Sequence, residues 1–142
     1  MPDRLAQGRF RCGVVRFEIA AAIDTIVNCH CESCRRQCSS PMTTFVGVGD
    51  GKWRWLSEAP KVYNSSLGVE RQFCPECGSP ISFRSTNMSV MMYFYVASLD
   101  YPENFPPTLH CSFEEKLSWL RFNDQLPKTV GLDDTKADTQ NG

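Results

Sequence analysis

Residues 14 to 19 read VVRFEI, and their side chains alternate: Val15, Phe17 and Ile19 fall on one side of an extended chain, Val14, Arg16 and Glu18 on the other. A period of two marks a half-buried strand. Short β-branched and aromatic segments bounded by turn residues recur as TTFVGV, KWRWL, KVYNS, PISFRS, VMMYFYV and LHCSF. No long stretch places apolar residues at helical spacing. The pattern predicts a mainly β fold of sheets packed on each other, with one short helix in ESCRRQC, after Cys31, that stops before Ser39, Ser40 and Pro41. YPENFPP, with Pro102, Pro106 and Pro107, predicts a loop, and the final TVGLDDTKADTQNG lacks core-forming residues. These readings give a single domain over residues 1–127 and a disordered tail over residues 128–142.

Composition agrees with one domain. The chain has 142 residues, no internal repeat and no linker, and 42% of it is hydrophobic, so a real core is available without covalent staples. A formal net charge of -1 gives no basic excess for a phosphate backbone, so nucleic acid is not an expected partner. MPDRLAQGRFRCG has no apolar run of the secretory kind, and VMMYFYVASL is about half the roughly 20 residues needed to cross a bilayer. No membrane partner and a cytoplasmic location are the expectations. In a reducing compartment, the eight cysteines point to metal or catalysis rather than to disulfides.

Their spacing says more. NCHCESC places Cys29, Cys31 and Cys34 within one tight loop, and FCPECGSP places Cys74 and Cys77 in a C-x-x-C with Gly78 just after, the signal of a zinc knuckle. A redox pair would need a following helix in a βαβ setting, which Cys74 lacks. Cys31/Cys34 and Cys74/Cys77 could close one four-thiolate site. Alternatively there are two sites, one of Cys29, Cys31 and Cys34, the other of Cys74 and Cys77 with Cys12. In the second arrangement, three ligands from one loop leave a tetrahedral zinc ion with an open position, as catalytic zinc sites do.

The order RCGVVRFEI, CHCESCRR, FCPECGSPISF, LHCSFEEKLSWLRFNDQLP resembles the glutathione-dependent formaldehyde-activating enzyme family, which also includes centromere protein V. The resemblance implies a zinc-bound β-tent of antiparallel sheets with two zinc ions, Cys29, Cys31 and Cys34 holding the active-site ion and Cys12, Cys74 and Cys77 three of the four structural ligands. It favours two sites over one. The family's opening C-x-C-G is here FRCG, so Phe10 stands where the fourth structural thiolate is expected. Water, His110, Cys111 or Cys38 are the candidates to complete that site, which otherwise binds zinc weakly or not at all. A structural zinc ion can contribute on the order of 10 kcal/mol, so a missing ligand matters.

The activity this implies is that of a zinc-dependent carbon–sulfur lyase of the S-(hydroxymethyl)glutathione synthase kind, which adds a glutathione-like thiol to formaldehyde or a related small aldehyde. Arg35 and Arg36 could pair with substrate carboxylates or form a solvated basic face. His30 is expected to hydrogen-bond or face solvent rather than ligate, His110 to support the site or sit in the core, and Cys38 and Cys111 to pack as small apolar residues. Trp53, Trp55 and Trp119 read as core and rim aromatics. The rival class is a non-catalytic zinc-binding module that carries a thiol or metal or docks to a protein. The pattern leaves the thiol, the aldehyde and the oligomeric state open.

Overall fold

The structure, a computed structural model, describes residues 6–20, 22–86 and 91–131. Among them are strands β1 (Ala6–Arg9), β2 (Arg16–Ile19), β3 (Thr25–Cys29), β4 (Thr43–Gly49), β5 (Trp53–Trp55), β6 (Lys61–Ser66), β7 (Val69–Phe73), β8 (Pro80–Ser85), β9 (Met91–Tyr95) and β10 (Leu109–Cys111), and one helix, α1 (Glu32–Cys38). The fold is mainly β, in two sheets, as the alternation predicts. Two compact units make up the domain, Met1–Thr25 with Val46–Pro106 and Ile26–Phe45 with Pro107–Gly142.

In the first unit, β1, β2 and β5 form an antiparallel sheet in that order. Val15, Phe17 and Ile19 are all buried, as their alternation requires, and Phe17 stacks on Phe94 with centroids 4.1 Å apart. Glu18 is buried as well, because the middle strand has no free face there: it pairs across to Arg54 on β5 at 2.6 Å. The second sheet contributes the antiparallel run β9-β8-β7-β6 to this unit. Within it β7 is polar yet central; buried Gln72 accepts the Ser82 hydroxyl at 2.8 Å, and Arg71 reaches Ser65 at 3.1 Å while lying over the Phe83 ring. β6 is an edge strand, with Val62 and Tyr63 exposed.

In the second unit the order is β10-β3-β4. Here the antiparallel expectation meets an exception: β10 pairs with β3 in parallel, Cys111 opposite Cys29 and His110 opposite Asn28. A parallel pair needs a long connection, and residues 30–108 supply it. The expected tail is also shorter than its reading: Thr129 donates its amide to the His110 carbonyl at 2.8 Å and is buried, so ordered pairing runs past residue 127. Residues 132–142 lie outside the described ones. YPENFPP forms an irregular segment with one 3-10 turn, Pro102–Asn104.

Gly8 marks the tightest approach in the first sheet. A Cβ there would sit 2.5 Å from Phe17 Cζ and 2.6 Å from the Ser98 carbonyl oxygen, whereas at Gly49 the nearest atom would be 3.7 Å away. Gly8→Ala is therefore expected to cost about 1–3 kcal/mol of stability through overpacking, and Gly49→Ala to stay within about 0.5 kcal/mol. Urea denaturation midpoints of the two variants measure the difference.

Candidate metal centre

Two separate groups of three thiols form. Cys29, Cys31 and Cys34 make one and Cys12, Cys74 and Cys77 the other, and within each the sulfurs lie within 4.8 Å of one another. Cys31/Cys34 and Cys74/Cys77 thus do not share a site, and the one-site alternative falls.

The first group is built by the end of β3 and the start of α1. Cys31 is the N-cap of the helix, extended at φ -66 and ψ 147, and its sulfur accepts the Cys34 amide at 3.3 Å. One turn therefore swings Cys34 back toward Cys31. At the other end Ser39 adopts a left-handed conformation and Pro41 forbids continuation, which ends the helix where the sequence predicts. Cys29 and Cys34 are buried and Cys31 half-buried. Their ionisation is mutually obstructed: Cys111 and then Cys31 push the Cys29 thiol well up, and Cys29, Cys31 and burial push the Cys34 thiol up. A divalent cation removes that obstruction, and soft sulfur donors suit zinc. The residues present fit the group.

The second group rests on two turns. Gly13, at φ +79, closes the Phe10–Gly13 turn that presents Cys12, and Gly78, at φ +78, closes the knuckle after Cys77. Both the Glu76 and Cys77 amides donate to the Cys74 sulfur at 3.3 Å, an arrangement that favours thiolate. Cys12 and Cys77 are exposed. Ser79 donates toward Cys77, 3.0 Å apart, and with backbone hydrogen bonding lowers that thiol to about 6. Cys12 moves the other way, since burial and the neighbouring Cys74 and Cys77 outweigh a lowering backbone bond from Val14. Phe10 is buried in the core of its unit. Of the proposed fourth ligands, His110, Cys111 and Cys38 do not join the group.

Those three belong instead to the second unit. Cys111 is buried against Cys29, Cys38 is half-buried on α1, and His110 is fully buried. His30 is fully buried too, so it does not face solvent; it hydrogen-bonds His110 at 2.9 Å and lies outside the ligand group. Burial, then the charge of neighbouring groups, lowers its pKa to about 4. Arg36 pairs with Glu32 one turn away, both exposed, while Arg35 donates to the carbonyls of Glu115 and His30. Both arginines line an open groove of about 500 Å³ beside exposed Trp119. Two residues had no local sequence signal: Ser79, placed by the knuckle, and Asp124, which lies 3.0 Å from His110.

The profile of the family described as glutathione-dependent formaldehyde-activating enzyme matches residues 5–115. The chain belongs to that family. It is 34% identical over 83 residues to an uncharacterized lyase of Schizosaccharomyces pombe, an alignment that takes in 57% of this chain and 58% of the relative, so the chain spans little more than half of that protein. A crystal structure of a Rhodobacter sphaeroides protein superposes with a TM-score of 0.55 at 17% identity, covering 87% of this chain and 99% of that one, and supports the fold alone. No described helix is long and apolar enough to cross a membrane.

In metal-free protein, the lowered Cys77 thiol and the raised Cys12 thiol set an order of reactivity. The reactive thiolate accumulates as pH rises through the Cys77 value of about 6. Iodoacetamide at pH 7 is expected to label Cys77 ahead of Cys12, and Ser79→Ala to move the labelling profile to higher pH. Mass spectrometry of timed digests reads both.

Proposed function

We propose that the chain promotes addition of a glutathione-like thiol to formaldehyde or a related small aldehyde, as a carbon–sulfur lyase. The family supports glutathione and formaldehyde chemistry in general, and the lyase name of the yeast relative agrees with it. The observation that carries the specific reading is the Cys29/Cys31/Cys34 group: three donors from one helix start, with no fourth protein donor among the described residues. Held there, a zinc ion would supply a Lewis-acid centre with an open position, suited to a thiolate sulfur. A second ion at Cys12, Cys74 and Cys77 would be structural.

The chain's own contribution is orientation. The carbon–sulfur bond forms between the thiolate and the carbonyl carbon, and the carbonyl oxygen takes up the proton that the thiol gave up. Bringing the two reactants together in a fixed pose turns a bimolecular encounter into a local one. The open groove beside α1 offers Arg36, whose exposed pair with Glu32 is weak enough to be exchanged for a substrate carboxylate. Arg35, tied to two carbonyls, holds the loop after β3 in place.

The burial of Cys29 and Cys34 favours a second reading, a closed zinc module without turnover, serving as a thiol or metal carrier or an interaction domain. One experiment separates the two. Serine is itself a good N-cap, so Cys31→Ser keeps the helix start while removing a soft ligand. For the enzyme, zinc-loaded protein accelerates exchange between glutathione and its formaldehyde adduct in NMR exchange spectra. Cys31→Ser then loses one zinc ion and at least about tenfold of that acceleration with its circular dichroism intact. Absence of any acceleration by the zinc-loaded wild type overturns the enzymatic reading. Cys74→Ser is expected to lose the other ion, which elemental analysis counts.

A further inference from the structure

The sequence contains two histidines, and the fold puts them together out of water: His30 and His110 are both fully buried, with His30 Nε2 2.9 Å from His110 Nδ1. His110 Nε2 continues the line to Asp124, 3.0 Å from Oδ2 and 3.3 Å from Oδ1. Phe113 and Phe122 set ring edges or faces against both imidazoles and keep the line dry. One atom is left over. His30 Nδ1 is buried and has no hydrogen-bond partner among the described residues.

The direction of every hydrogen in this line follows from its end. An ionised carboxylate only accepts, so His110 Nε2 carries hydrogen; in a neutral imidazole the other nitrogen must then accept, and His110 Nδ1 takes the hydrogen of His30 Nε2. By the same rule His30 Nδ1 is an acceptor. A buried acceptor without a donor is destabilising, and unpaired buried groups in folded proteins call for a ligand or water. His30 sits in the chain between Cys29 and Cys31, so whatever binds those sulfurs arrives next to it.

We propose that Asp124, acting through His110, is a positioning residue that fixes His30 as its Nε2–H tautomer, so that His30 Nδ1 accepts a hydrogen bond from the S–H or O–H donor of a ligand at the cysteine group. The identity of that ligand, a thiol or its hydroxymethyl adduct, rests on the proposed function; the tautomer does not. A packing role alone would be served by either tautomer.

The test uses the full zinc-loaded chain, labelled with ¹⁵N. With two histidines there are four imidazole nitrogens, and long-range ¹H–¹⁵N spectra sort each as hydrogen-bearing or bare. Wild type is expected to show hydrogen on Nε2 of both rings. In Asp124→Asn the pattern inverts, because Asp124 Oδ1 also accepts the Leu126 amide at 3.1 Å: the asparagine carbonyl stays there and its NH₂ faces His110, driving hydrogen to Nδ1 of both rings. Asp124→Ala leaves a mixture. Hydrogen on His30 Nδ1 in wild type, or an unchanged pattern in Asp124→Asn, overturns the proposal, and the wild-type spectrum decides even if the variants fail to fold.

Adding glutathione, alone and then with formaldehyde, is expected to shift His30 Nδ1 in wild type, and Asp124→Asn to raise the KM for glutathione about tenfold with little change in kcat. A response to glutathione alone identifies the S–H donor, and a response only with formaldehyde the hydroxymethyl O–H. If turnover is present and His30 Nδ1 responds to neither, the inference falls and the proposed function stands. If the tautomers are as expected but turnover is absent, the proposed function falls and the control of His30 by Asp124 is upheld.

Discussion

Three sulfurs gathered within 4.8 Å in a dry setting cannot all carry negative charge on their own. That constraint orders the second unit. Burial of Cys29 and Cys34 makes each thiol hold its proton against its neighbours, and a bound cation reverses the balance. Everything nearby is arranged to let the sulfurs stay close: Cys31 caps the helix with its own sulfur, and Cys111 approaches Cys29 from the parallel strand β10. The other group answers the same constraint differently, with backbone amides on Cys74, a serine on Cys77 and two exposed sulfurs.

Phe10 shows how far a substitution can move a site's character. A thiolate at that position would have faced the metal; a phenylalanine turns into the core and is buried. The turn that presents Cys12 survives, since Gly13 and the backbone bonds around Phe10 make it. What changes is the shell: three thiols with solvent on two of them, rather than a closed set of four. Zinc held there exchanges more readily than in a closed cage, because water can reach the ion.

The parts of the fold legible in the sequence are those whose signal is local. α1 was readable because its cap, its stop and its length lie within eleven residues, Cys31 to Pro41. β2 was readable because Val15, Phe17 and Ile19 alternate. β1, β3 and β7 were not singled out, and the reasons differ: β7 buries Arg71 and Gln72 in hydrogen bonds that no hydropathy pattern reports, β3 mixes Asn28 and Cys29 into its apolar run, and β1 contains Gly8, which only the Phe17 ring explains. The metal groups followed from spacing and family likeness. Asp124 and Ser79 could not, since each acquires its role from a partner's position rather than from its neighbours in the chain.

The parallel pairing of β10 with β3 also dictates an order of events during folding. Cys29, Cys31 and Cys34 are close in sequence, so they can gather around an ion while most of the chain is still unfolded. The contact between His30 and His110 spans 80 residues and must wait for a large loop to close. An ion captured early by the local thiols would already be in place when the distant strand, the two phenylalanines and Asp124 arrive to wall it off. The metal then acts as a folding nucleus for the unit before it has any chemistry to perform.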